Sequence, residues 1–329
     1  MEKQEETMDR EKRMEIRTDL ALEEKESIQA EGMEVGGVSL REWKEGQGAF
    51  RITEVVVQNE SGARAMGKPV GRYLTLEAEG LRWADESYLQ DFALELAKQL
   101  RRMSQKFALT PEGNIMVVGL GNEAVTPDAL GARVVSHLKI SRHLRKEERL
   151  ELFGQARSIS ALVPGVMAQT GMETAEILRG VVKESHPSLV LVVDALAARS
   201  VRRLGNTIQL SDTGISPGSG VGNHRSEISE KTLGVPVLAL GVPTVVGAAA
   251  IAQDTFHALL QVLAREERLQ AYAEYMEKLQ AEEQYALIRE LLEPEFGSLY
   301  VTEPDIDETV RKLGLLLARG IHQAFYASL

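Results

Sequence analysis

Cysteine is absent from the 329-residue chain, which removes disulfides, thiolate nucleophiles and cysteine-based zinc sites, and suits a reducing interior. A basic surplus is missing as well. The formal net charge of −11 argues against sequence-independent nucleic-acid binding, which needs clustered cations to neutralise phosphates. No apolar leader stands in the opening Met1-Glu2-Lys3-Gln4-Glu5-Glu6, so a cytoplasmic location is expected. The longest apolar stretch, 235–252, is interrupted by Pro236, Gly241, Pro243 and Gly247. It reads as strand, turn and helix start, and no membrane span is expected. The histidines at 137, 143, 186, 224, 257 and 322 show no His-Glu-x-x-His zinc spacing. Neither Ser200 nor Ser219 sits in a Gly-x-Ser-x-Gly elbow, which lowers the serine hydrolase option.

What remains is a hydrophobic content of 43%, ample for a core in one large domain or two ordinary ones. The runs Phe50–Val57 and Tyr73–Ala78 alternate like strands and suggest a hairpin. Residues 86–107 carry apolar positions at helical spacing. Strand and helix then alternate: strand 114–119, helix 128–140, strand 158–163, helix 173–184, strand 188–193, with further strand-like runs at 207–210 and 235–241. This pattern predicts an α/β fold with a mainly parallel central sheet flanked by helices, a small N-terminal β region and C-terminal helices. Composition sets apart a charged arm, mobile or weakly helical, over residues 1 to about 32, then an α/β domain running to 264 and a helical region over 265–329, the last beginning with a strongly charged segment, 265–293.

Two aspartates stand out against this frame. Asp128 follows the apolar strand 115–118 and a Gly119-Leu120-Gly121-Asn122 turn, and Asp194 directly follows Leu189-Val190-Leu191-Val192-Val193. Ligands bind beyond the carboxyl ends of parallel strands, so both side chains are expected in one cleft. A carboxylate pair there can divide hydrolysis between an ionised base and a protonated acid, provided burial and like charge separate their pKa values. The same positions also suit a helix N-cap after Pro127 and a strand-end turn residue. The turn lacks the third glycine of a dinucleotide fingerprint, and no cofactor is expected. The Gly/Ser-rich loop 211–225 has no Gly-Lys-Ser/Thr ending and reads as a substrate-binding loop, with Asp212, Gly218, Gly220 and His224 as candidate contacts. Asp212-Thr213-Gly214 matches the triplet of pepsin-like proteases, but without their all-β context it reads as coincidence.

The same stretches carry a family resemblance. Val118-Gly119-Leu120-Gly121-Asn122 with Thr126-Pro127-Asp128-Ala129-Leu130-Gly131, Val163-Pro164-Gly165-Val166-Met167, Asp194-Ala195-Leu196-Ala197-Ala198-Arg199-Ser200 and Pro217-Gly218-Ser219-Gly220-Val221-Gly222-Asn223 resemble the germination proteases of spore-forming bacteria. These are endopeptidases that begin degradation of small acid-soluble spore proteins. The resemblance implies an unusual aspartic-type peptidase with its two proposed catalytic aspartates at Asp128 and Asp194. It implies a homotetramer in the spore interior, made as a zymogen that removes its own N-terminal segment. Family substrates are cut between an acidic and an apolar residue followed by a small one. Arg17-Thr18-Asp19-Leu20-Ala21 resembles the family's processing site, so cleavage is expected between Asp19 and Leu20, with 1–19 as propeptide. The arm before Arg17 and the segment 265–293 depart from the family pattern. The alternative is a metal-dependent maturation-type endopeptidase, with Asp128 and Asp194 as ligands and Asp212 or His224 as a third.

Overall fold

Alternation of buried residues on both sides of the strands is what organises this molecule. A computed structural model describes residues 18–30, 36–110, 113–146, 157–222, 225–265, 281–296 and 299–326. The strands are β1 (Val38–Glu45), β2 (Phe50–Val57), β3 (Gly71–Ala78), β4 (Asn114–Gly119), β5 (Ser158–Leu162), β6 (Leu189–Ala198), β7 (Thr207–Ser211), β8 (Val237–Gly247) and β9 (Tyr300–Val301). They form one sheet in the order β1-β2-β3-β7-β8-β6-β4-β5, with β9 beside β8. The longer helices are α1 (Ala21–Ala30), α2 (Glu60–Met66), α3 (Glu86–Ser104), α4 (Leu130–Ser136), α5 (Thr174–Ser185), α6 (Ala248–Leu263), α7 (Ala281–Phe296) and α8 (Ile306–Phe325).

The sheet is mixed, which corrects the expectation of a mainly parallel one. β4 pairs in parallel with β5 and β6, and β6 with β8. The pairings β1–β2, β2–β3, β3–β7, β7–β8 and β8–β9 are antiparallel. The reason is the placement of β7, which runs against both neighbours and joins the N-terminal meander to the parallel block. The N-terminal β region therefore continues the main sheet. It also begins a strand earlier than its alternation suggested, because β1 is largely exposed and carries no apolar face to reveal it.

In the parallel block, Ile115, Val117, Leu189, Leu191 and Val193 face one layer, where α3, α4 and α8 pack through Phe92, Leu96, Leu130 and Leu317. Met116, Val118, Val190 and Val192 face the other, against Leu178 and Val182 of α5. Strands buried on both faces read as continuous apolar runs, which is why they were legible. Further along β6, Leu196 and Ala198 enter a separate cluster with Leu20, Leu204, Val246 and Ala250. Asp194 stands in that same alternating row, at the seam between the two clusters.

Candidate active site

β6 does not stop at its apolar run. It continues through Asp194 to Ala198, so Asp194 lies inside a ten-residue strand rather than at its end. β4 stops at Gly119, opposite Val193, and Leu120 N–H closes that edge on Val193 O at 2.8 Å. Beyond this point the β4 side of β6 is open to another chain segment. Asp194 is only 6% exposed, with Oδ1 accepting from Ala195 N–H at 2.9 Å. Burial holds its pKa well above the ordinary carboxylate value, and the charges of Asp128 and Asp19 push it in the same direction.

Asp128 ends the short 3-10 turn Thr126–Asp128 that follows β4. Its Oδ2 accepts from Asn122 N–H at 2.7 Å. Gly121 makes this turn possible with φ +97°, and a Cβ there would overlap the Asp128 carbonyl oxygen. Burial raises the pKa of Asp128, opposed by the Asn122 N–H. The two acids are thus electrostatically coupled, and Asp194, the more deeply buried, holds its proton more firmly.

Asp19 occupies the open edge of β6. Its N–H donates to Ala197 O at 3.0 Å, and its Oδ2 accepts from Ala197 N–H at 2.9 Å. Oδ1 accepts from Ser219 Oγ at 2.7 Å and from Gly220 N–H at 2.8 Å. Gly220 has to be glycine for this approach, since a Cβ would overlap Asp19 Oδ2. The Asp19 carbonyl accepts from Lys68 Nζ at 3.2 Å and Gln209 Nε2 at 3.0 Å. Leu20 is fully buried among Leu196, Ala198 and Val246. Downstream, Glu23 Oε2 accepts from Arg199 N–H at 2.7 Å and from the Thr18 hydroxyl. Its Oε1 accepts from Ser200 N–H at 3.1 Å. A cavity of about 810 Å³ opens beside the segment, bordered by Asp19, Lys68, Tyr73, Gln209, Thr213 and Ser219. Burial pushes the Tyr73 hydroxyl up to about 12.

The structure brings Asp128, Asp194, Asp19, Leu20 and Gly220 into one neighbourhood. Gly218, at φ +75°, caps the turn that presents Ser219 and Gly220. Asp212 is placed elsewhere: its Oδ1 accepts from Arg72 N–H at 2.8 Å and its Oδ2 pairs with Lys106 Nζ at 2.7 Å. His224 lies outside the described residues. Among those described, no three His, Asp or Glu side chains gather in an arrangement able to hold a metal ion, and no helix is long and apolar enough to cross a membrane. Sequence reasoning missed Lys68, Ala197 and Gln209. Gln209 carried a faint signal, being polar between Ile208 and Leu210 in a buried strand; Lys68 and Ala197 carried none.

Comparison with known proteins adds the family. The germination protease family model matches residues 14–273. The chain is 46% identical over 315 residues to the germination protease of Caldanaerobacter subterraneus subsp. tengcongensis, covering 95% of each chain. It is 40% identical over 318 residues to that of Clostridium tetani, covering 96% of this chain and 97% of the relative. With that of Bacillus subtilis the identity is 38% over 346 aligned positions, covering 94% and 93%. An α/β architecture with these matches defines the chain as a peptidase. It belongs to the germination protease family.

Proposed function

We propose that this protease cuts small acid-soluble spore proteins at germination, after an acidic residue, and that it is made as a zymogen freeing itself of residues 1–19 by cleavage between Asp19 and Leu20. The observation that carries the reading is the seat of Asp19. Its backbone pairs with the open edge of β6, as an extended peptide adds to a sheet, and Ala197, Ser219 and Gly220 hold its carboxylate. A carboxylate accepting three hydrogen bonds is recognised as an acid, since an amide in its place would confront at least one of these donors with another donor.

The same seat lies close enough for its charge to act on Asp194. Asp194, held protonated, is the general acid; Asp128, less buried and accepting from Asn122 N–H, is the general base that takes a proton from water. An occupied arm excludes spore protein as an intramolecular ligand until it is cut. The site of action is the spore interior. The test is digestion of purified small acid-soluble spore protein by the processed enzyme, by Asp128→Asn and by Asp194→Asn, each with and without chelator. Cleavage after acidic residues by the wild type alone, indifferent to chelator, is expected. Chelator-sensitive cleavage would instead place a metal between the same acids.

A further inference from the structure

Two side-chain donors converge on one carbonyl oxygen of the arm, and they come from separate elements. Lys68 sits directly after α2, where Gly67 closes the helix in a left-handed conformation and Lys68 N–H donates to Ala63 O at 3.3 Å. The next residue is held too, because the Tyr73 hydroxyl donates to Pro69 O at 2.8 Å. Gln209 projects from β7 and is 8% exposed. Its Oε1 accepts from Ala21 N–H at 2.7 Å, which turns its Nε2 toward Asp19 O. The amide group thereby spans the Asp19–Leu20 bond, gripping the chain on both sides of it. Lys68 Nζ also donates to Thr18 O at 3.3 Å, so its ammonium is shared between successive carbonyls.

Resting on the cleavage proposed above, we infer that Lys68 and Gln209 are catalytic residues that bind the scissile carbonyl oxygen and stabilise the oxyanion formed on it. Water adds through oxygen to the Asp19 carbonyl carbon, its proton passes to the Asp128 carboxylate, and the C=O π pair moves onto oxygen. The Lys68 ammonium and the Gln209 N–H pair hold that negative oxygen. The pair returns, the C–N bond to Leu20 breaks, and the leaving nitrogen takes the Asp194 proton. The products are an Asp19 α-carboxylic acid and a Leu20 amine, and one water is consumed. Donors aimed at a developing oxyanion from rigid elements stabilise the transition state more than the ground state. A fixed ammonium also offsets the negative charge of the Asp19 and Asp128 carboxylates.

The experiment follows first-order loss of residues 1–19 by intact mass in the full chain, for wild type, Lys68→Met, Lys68→Arg, Gln209→Glu and Asp194→Asn, alongside amide exchange at Asp19 and Ala21. Lys68 is half-buried at the edge of the cavity, so Lys68→Met leaves the core intact. Loss of one such donor slows comparable reactions about 10²–10³-fold. The expected result is a slowing of that order in Lys68→Met, partial recovery in Lys68→Arg, slowing in Gln209→Glu, and unchanged exchange at both amides. Wild-type processing by Lys68→Met while Asp194→Asn is inert overturns the inference and leaves the proposed function standing. Slowing matched by faster exchange at Asp19 also overturns it, since Lys68 then only holds the arm. A wild type that keeps residues 1–19, or is cut elsewhere, removes the proposed cleavage itself and this inference with it.

Discussion

At the scale of single residues, the site is a set of acids in positions that cost stability. Asp194 replaces an apolar residue in a row that otherwise reads Val190, Val192, Leu196 and Ala198, and burial raises its pKa. A carboxyl group whose folded pKa lies above its unfolded value binds the proton more tightly when folded. Its contribution is therefore most favourable below the unfolded value and falls as pH rises toward the folded one. Asp194→Asn is expected to abolish processing and to raise the thermal midpoint by a few degrees at pH 7, the gain shrinking toward pH 4; calorimetry at both pH values checks this. Ser219→Ala removes one hydrogen bond to the Asp19 carboxylate. A bond to a charged group contributes about 1.5–3 kcal/mol, so self-cleavage is expected to slow by roughly tenfold or more, read as a rate by mass spectrometry. Gly220→Ala, whose Cβ would collide with Asp19 Oδ2 and lie 2.9 Å from Ala197 Cβ, is expected to unseat the arm and slow cleavage further than Ser219→Ala.

At the scale of elements, the arm is anchored on both sides of the proposed cut. Upstream, Asp19 pairs with β6; downstream, α1 is tied by Glu23 to the backbone of Arg199 and Ser200, with Arg203 Nε 3.8 Å away. Glu23 is 3% exposed, so Glu23→Ala leaves two backbone donors and a hydroxyl without their acceptor. About 1–3 kcal/mol of stability should be lost, measured by urea titration, with looser exchange at α1. A register shift between Leu196 and Ala197, where β6 passes Pro243 of β8, marks the point at which β6 takes up the arm. The parallel strands and their helices were legible because each is an unbroken apolar run with an amphipathic partner. The antiparallel half was not, because the direction of β7 depends on a meander 130 residues away in the chain and leaves no local mark. Asp128 and Asp194 were legible as acids among apolar neighbours. Lys68 was not, and Gln209 only faintly as a polar residue within a buried strand, since their meaning lies in which carbonyl they reach.

At the scale of the whole molecule, the arm, the two acids and the loop that grips Asp19 gather on one sheet. α8 closes the layer over α3 and α4, which makes the last helix part of the main core. α6 and α7 pack together and leave Leu259, Val262, Leu287 and Leu291 exposed, between 50% and 77%. We propose that the chain assembles as a homotetramer and that these exposed apolar side chains form one of its contacts. Light scattering should give four copies for the wild type and smaller species for Leu259→Glu combined with Leu291→Glu. The proposed hydrolysis by this chain of its own Asp19–Leu20 bond, with Asp128 and Asp194, has a direct test. It is the N-terminal sequence and intact mass of purified wild type, Asp128→Asn and Asp194→Asn after incubation across a pH series. A new N-terminus at Leu20 is expected in the wild type alone; a Leu20 N-terminus appearing equally in either variant would rule out catalysis by these two acids.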